Sequence, residues 1–278
     1  MIIDGRALAE KIYTDIQSKN LKDIKLAIIL ANNDEASRKY TDLKKKAGER
    51  IGIKVDIYSF DEKISKNELI LKIVELNNDL TVDGIVVQLP LYQHLEEVTI
   101  EILNNIEPKK DADSLTSSSL ASTFNYSKDS IMPAAVEATM ISLAEIVPLN
   151  ELEGKNIVII NNSNLVGNPM AIALSRLNAT VTLAHKFTKD LKSLISNADV
   201  IISATGVTNI ISANEVKDDV ILIDITSVSQ NGKTLGDFVY DQDLIRKAKA
   251  YTPVPGGIGP LTVASLFKNL VKLVNQNG

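Results

Sequence analysis

The strongest constraint on this chain is a set of short apolar runs bounded by turn residues: KLAIIL (25–30), DGIVVQL (83–89), NIVII (156–160), ATVTLA (179–184), DVIISAT (199–205) and DVILIDI (219–225). Such runs are too short for buried helices and too continuously apolar to leave one face in water, so they read as strands covered on both sides. Helix-patterned stretches separate them. Residues 4–19, with Asp4 as N-cap and Ala7, Leu8, Ile12 and Ile16 at helical spacing, form the first. Others are predicted from Ser37 to about Arg50, then at 65–78, 94–105, 134–147, 168–177, 188–197 and 262–275, with a further strand at 52–59. That βα rhythm predicts an α/β fold of parallel sheets. Residues 108–133 are polar and Ser-rich, and read as a loop lining a site.

Composition narrows the chemistry. The 278 residues include no cysteine and two histidines, His94 and His185, which lie far apart. Disulfides, thiolate nucleophiles and Cys-ligated metals are excluded, and a histidine metal site is disfavoured, so no metal is expected. Acid–base work falls to lysine, tyrosine or carboxylate. Lys+Arg number 30 against 35 Asp+Glu, a net charge of −5, which argues against binding nucleic acid or an anionic membrane. The N-terminus lacks an apolar leader and no apolar run approaches a membrane span, so a cytoplasmic protein is expected.

Six local features carry candidate chemistry. After strand 156–160, the turn NNSNLVGNP (161–169) leads into a helix, with Gly167 allowing a tight backbone and Pro169 suiting a first helical turn. A helix N-terminus there presents free N–H groups to a phosphate, although GxGxxG is absent, and spacing alone fits an ordinary βα turn equally well. At the end of the next strand, His185-Lys186-Phe187-Thr188-Lys189 offers cations and no carboxylate, which favours the 2′-phosphate of NADP over NAD; a solvated helix start is the plain alternative. Tyr40 and Lys44, four apart, share a helix face, as they would on any Lys-rich solvated helix. Gln88 ends an apolar strand, as a plainly solvated residue also would; Asp113 lies on an irregular connection, where a turn or cap residue is the plain alternative; and TPVPGGIGPLT (252–262, with Tyr251 before it) packs glycines and prolines densely, as a backbone does that must approach something closely.

Taken together these segments resemble the bifunctional methylenetetrahydrofolate dehydrogenase/methenyltetrahydrofolate cyclohydrolase (FolD-type) family. The resemblance rests on Ser37, Tyr40 and Lys44 as SxxYxxxK, DGIVVQLPL at 83–91, KDxD at 110–113, SNxVGxP at 163–169, HxFTK at 185–189, Gly236–Asp237, and TPVPGGIGP at 252–260. It implies two α/β domains: a folate-binding catalytic domain (1–138 plus 261–278) and a Rossmann-like NADP-binding domain (139–260), with the C-terminal helix packing back on the first. It implies oxidation of 5,10-methylenetetrahydrofolate with NADP+, hydrolysis of the methenyl product to 10-formyltetrahydrofolate, tetrahydrofolate derivatives as substrates, and a homodimer. By the same carry-over, Lys44 is the catalytic lysine, Tyr40 the ring-stacking residue, Gln88 the residue that tunes the lysine and Asp113 the pterin anchor. Leu89, Pro90, Pro255, Gly256, Gly257 and Ile258 would border the substrate. Asn161, Asn162, Ser163, Val166, Gly167, Pro169, His185, Lys186, Thr205, Gly206 and Ser227 would line the cofactor.

The chain departs from that family at Asn161, Ser114 and Thr226, each in a glycine slot, at Tyr92 in a proline slot, and at PAAVEA (133–138) in place of PCTP. Competing readings are a monofunctional or NAD-preferring relative, and a folate- or nucleotide-binding protein without turnover.

Overall fold

The computed structural model describes residues 1–277 apart from Asn20, Lys22, residues 126–129 and Asn231. In chain order the elements are α1 (Gly5–Ser18), β1 (Lys25–Leu30), α2 (Glu35–Ile51), β2 (Lys54–Ser59), α3 (Lys66–Asn78), β3 (Gly84–Gln88), α4 (Thr99–Leu103), α5 (Ser117–Asn125) and α6 (Ala134–Ile146). The second run is β4 (Asn156–Ile160), α7 (Gly167–Ser175), β5 (Thr180–Ala184), α8 (Leu191–Ile195), β6 (Val200–Ser203), β7 (Val220–Asp224), β8 (Val228–Gln230), β9 (Lys233–Leu235), α9 (Gln242–Lys247), β10 (Ala248–Tyr251) and α10 (Ile258–Asn277). Two compact units result: Met1–Ala9 with Ala135–Thr262, and Glu10–Ala134 with Val263–Gly278.

In the unit built on residues 10–134, a parallel sheet has the order β2-β1-β3. The central strand is the most apolar, and Leu26, Ala27, Ile28 and Ile29 are fully buried. Helix α2 starts where Asp34 accepts the Ser37 N–H and stops at Gly52, whose left-handed φ of 78° ends it. Its buried row is Ser37, Thr41, Lys44, Gly48 and Ile51, the three- and four-residue spacing of one helix face. A lysine therefore faces the sheet. Ser65 and Glu68 close a capping box at α3.

The C-terminal part of α10 completes this unit. Its Phe267, Leu270 and Val271 are buried, and the Asn269 side chain donates to the carbonyls of Ala112 (3.2 Å) and Met132 (2.8 Å). One buried amide thus ties the last helix to both flanks of the Asp113 segment.

The unit built on residues 135–262 holds a parallel five-stranded sheet of order β10-β7-β6-β4-β5. Strand order reverses at β4, whose partners β5 and β6 lie on opposite sides, so the β4/β6 crevice is the topological switch point where α/β sheets bind ligands. The first residues join this unit, with Ile3 N–H donating to the Tyr251 carbonyl (2.9 Å) and Tyr251 N–H to that of Met1 (3.0 Å).

Several expectations need correction. Part of the Ser-rich stretch expected as loop is helix α5, because Thr116 caps it through the Ser119 N–H (3.1 Å) and Ser119 and Thr123 are buried; residues 126–129 of that stretch lie outside the described residues. The helix expected at 94–105 is a 3-10 turn over Gln93–Val98 followed by the short α4. The last helix begins at Ile258 rather than 262, so the end of the glycine–proline segment is its first turn. The close approach that this segment demands is to its own unit: a Cβ on Gly5 would lie 1.8 Å from the Gly257 carbonyl oxygen. Strand β10 and the β8–β9 hairpin carried too little apolar pattern to be predicted.

Replacing Asn269 by Leu keeps the volume but strands two buried carbonyls. Urea unfolding should show a loss of roughly 2 kcal/mol or more.

Candidate active site and cofactor site

Lys44 lies on the buried face of α2, 6% exposed, and its Nζ donates to Gln88 Oε1 at 2.9 Å. Gln88 is the last residue of β3, and its Nε2 donates to the Leu89 carbonyl at 2.9 Å. That second bond turns the amide so that oxygen, not nitrogen, faces the amine. Burial lowers the Lys44 pKa below the ordinary lysine value, and the Asp113 carboxylate pushes partly against that shift. Asp113 is raised, first by burial, with Lys44 holding it down and Asp111 adding to the rise.

The surrounding KDAD segment divides its labour. Lys110 donates to the carbonyls of Leu76, Asn77 and Asp79, closing the end of α3. Asp111 accepts the N–H groups of Leu115 (3.2 Å) and Thr116 (2.8 Å) and so holds the turn. Both are structural, which leaves Asp113 as the carboxylate near the amine. Ser114 follows at φ 57°, the left-handed conformation that a glycine would adopt freely. Tyr40, half-buried, sits one turn before Lys44, and Leu89 and Pro90 continue from Gln88, with Pro90 exposed. Lys44 and Gln88 thus meet in a hydrogen bond, and Asp113 lies within electrostatic reach of the amine.

In the other unit, the predicted cofactor residues gather at the carboxyl ends of neighbouring strands: Asn161, Asn162 and Ser163 after β4, His185 and Lys186 after β5, Thr205 and Gly206 after β6, and Ser227 after β7. His185 and Lys186 are exposed, and His185 Nδ1 accepts the Phe187 N–H at 3.2 Å. Gly167 opens α7 so close to β4 that a Cβ would lie 2.1 Å from the Asn161 carbonyl oxygen. Val166 and Pro169 flank it, and Pro169 is buried. Pro255 is exposed, Gly256 lies at φ 113°, and Gly257 and Ile258 are buried at the start of α10.

One expectation for this turn fails. The N–H groups at the start of α7 are not free: those of Ser163 and Gly167 bond Asn161 Oδ1, that of Val166 bonds Ser163 Oγ, and that of Asn168 bonds the Ser163 carbonyl. An asparagine in a glycine slot supplies its own acceptor, a consequence that strand-and-glycine spacing does not encode.

Sequence reading also passed over a buried acid pair. Asp224, ending β7, accepts N–H groups from Thr226, Asp237 and Phe238 and the hydroxyl of Tyr240. Asp237 accepts the Ser203 hydroxyl (2.5 Å) and the Thr205 N–H (2.8 Å), and its Oδ1 has no partner. The pair thereby fixes the strand-end loops carrying Thr205 and Ser227. Its one sequence signal was an aspartate closing an apolar strand together with Gly236–Asp237.

Burial first, and the Asp237 charge second, push the Asp224 carboxyl up to about 7. The folded chain then keeps a proton that the unfolded chain releases near the ordinary carboxylate value, so this pair makes stability fall as pH rises from about 4 to about 7. Asp237→Asn removes the neighbouring charge and lowers the Asp224 pKa. Denaturant unfolding at pH 5 and pH 8 should show a shallower fall, the variant gaining at pH 8 about 1.4 kcal/mol per unit by which Asp224 drops.

Among the described residues, no group of three or more His, Cys, Asp or Glu could hold a metal ion, and no helix is long and apolar enough to cross a membrane. Comparison with known proteins covers both units. Residues 3–113 match the tetrahydrofolate dehydrogenase/cyclohydrolase catalytic domain, and residues 133–278 match the NAD(P)-binding domain of the same family. A bifunctional protein FolD from Clostridium novyi is 39% identical over 277 residues, covering 96% of this chain and 97% of its own. The crystal structure of the bifunctional FolD methylenetetrahydrofolate dehydrogenase/cyclohydrolase from Campylobacter jejuni superposes with a TM-score of 0.91 at 36% identity, covering 100% of this chain and 99% of that one. The Trypanosoma brucei methylenetetrahydrofolate dehydrogenase-cyclohydrolase, solved with NADP cofactor and inhibitor, gives 0.91 at 28% identity, covering 100% and 98%. The chain belongs to the tetrahydrofolate dehydrogenase/cyclohydrolase family.

Proposed function

We propose that this protein oxidises 5,10-methylenetetrahydrofolate with NADP+ and hydrolyses the resulting 5,10-methenyltetrahydrofolate to 10-formyltetrahydrofolate. The observation that carries this reading is a buried lysine amine of lowered pKa, oriented by Gln88 and close enough to Asp113 to feel its charge. Such an amine is neutral over more of the physiological range than an exposed lysine and can act as a general base. It takes one proton from the water that adds to the methenyl carbon; the hydroxyl of the adduct then gives up its proton as N5 takes one, and the bond from that carbon to N5 breaks, leaving the formyl group on N10. The cationic substrate beside it favours the neutral amine further. Asp113 can pair in bidentate fashion with the amino-pyrimidinone edge of the pterin, and Tyr40 can stack on the flat substrate. Leu89, Pro90 and the segment Pro255, Gly256, Gly257 and Ile258 complete the substrate surroundings in this reading.

The residues at the β4–β7 ends fit a dinucleotide. They sit around a topological switch point, and Lys186 and Lys189, with His185 beside them and no carboxylate in the HKFTK stretch, follow the strand end where a 2′-phosphate would be read. Bound NADP+ supplies the hydride acceptor. Asn162, Ser163, Val166, Gly167, Pro169, Thr205, Gly206 and Ser227 shape its bed, with Asn161 bracing the turn. We assign residues 1–138 with 261–278 to folate and catalysis, and 139–260 to the cofactor; residues 1–9 of the former pack in the compact unit of residues 135–262. A homodimer working in the cytoplasm is part of the same proposal.

The deciding assay offers methylenetetrahydrofolate with NADP+ or NAD+ and follows reduced-cofactor absorbance, then adds protein to methenyltetrahydrofolate and follows its decay. Turnover should favour NADP+; a protein that binds both ligands without turnover overturns the reading. Lys44→Met should cut hydrolysis by about 10²–10⁴-fold while leaving the NADP+ Kd nearly unchanged. In the unsubstituted enzyme the hydrolysis rate should rise with pH and level off below the ordinary lysine range, since the neutral amine is the active form.

A further inference from the structure

The Asn161 carboxamide sits at the switch point itself. Its Oδ1 takes the N–H groups of Ser163 (2.8 Å) and Gly167 (3.0 Å), and its Nδ2 donates across to the Ala204 carbonyl (2.7 Å) beyond β6. Those two backbone donors belong to the turn and helix start where a dinucleotide's diphosphate would bond in a fold of this kind. One side chain therefore fills the donors from within and also staples β4 to β6. Gly167 packs directly on the Asn161 backbone, where a Cβ would lie 2.1 Å from the carbonyl oxygen, so the start of α7 lies beside the carboxamide.

We propose that Asn161 is an affinity-setting residue: its carboxamide stands in for a diphosphate oxygen in the free protein, so that the dinucleotide must displace it or dock with two fewer backbone hydrogen bonds. The inference rests on the reading of this unit as the NADP site. A diphosphate oxygen carries full charge and makes the stronger hydrogen bond, but the carboxamide is already in place and loses no translational freedom. The competition weakens cofactor binding while the Ala204 bond steadies the free protein. Affinity and stability are thus set against each other at one side chain.

That opposition separates this role from a merely structural one. Asn161→Gly removes the carboxamide, frees both N–H groups and cuts the bond to Ala204; Asn161→Ala does the same while keeping a Cβ. Titrating NADP+ calorimetrically into the free proteins should show at least one variant binding about fivefold or more tighter than the parent, and thermal unfolding without cofactor should show both melting a few degrees lower. Asn161→Asp keeps the acceptor and adds a negative charge, and should bind NADP+ at least tenfold more weakly. If the parent binds and both neutral variants bind with equal or weaker affinity, the competitive role is overturned while the cofactor assignment stands. If neither the parent nor any variant binds NADP+ or NAD+, both fall.

Discussion

An amine taken out of water must be answered by an acceptor, and the folate-side unit is arranged around that requirement. Lys44 cannot be moved to the exposed face of α2 without losing the row that packs the helix on the sheet, because it shares its spacing with Ser37, Thr41, Gly48 and Ile51. The acceptor must come from the end of the neighbouring strand, and Gln88 provides it with an oxygen whose orientation the Leu89 carbonyl fixes. Burial then disfavours the ammonium form. An amine of lowered pKa follows from where the helix has to lie.

Holding Asp113 within electrostatic reach takes more of the chain than the site itself. Lys110 ties off α3, Asp111 closes the turn, and Asn269 of α10 bonds the carbonyls on both sides. These groups are buried or nearly so and each is satisfied by backbone, which makes them costly to replace and geometrically exacting. The C-terminal segment thus belongs to the catalytic unit for a hydrogen-bonding reason as well as an apolar one.

The strands were legible because a buried parallel strand is a continuous apolar run, and β1, β3, β4, β5, β6 and β7 all match their predicted places closely. Helix spacing, a polar strand end and a loop aspartate each left Lys44, Gln88 and Asp113 with an ordinary structural reading, and only the family resemblance joined them into a set. Less legible was whatever depended on which backbone group a polar side chain would find. Thr116 turned a serine-rich loop into α5, and Ser203, Asp224, Asp237 and Tyr240 formed a network from three separated segments. Hydrogen-bond partners distant in sequence leave no periodic trace.

The two glycine slots filled by larger residues in the cofactor-side unit show how such substitutions become structure. Asn161 reaches from the end of β4 to Ala204 after β6, and Thr226, after β7, accepts the Gly206 N–H at 3.1 Å from the same β6 loop. Glycine could make neither bond. Each replacement therefore stitches neighbouring strand-end loops where a ligand would otherwise do so, and the acid pair of Asp224 and Asp237 anchors those loops from beneath. A bed braced in this way is more nearly preorganised in the free protein, which lowers the ordering cost of binding, but it spends on itself some of the backbone donors that a phosphate would use. The balance between those two effects falls at Asn161, because it is the residue whose oxygen occupies the donors and whose nitrogen makes the brace.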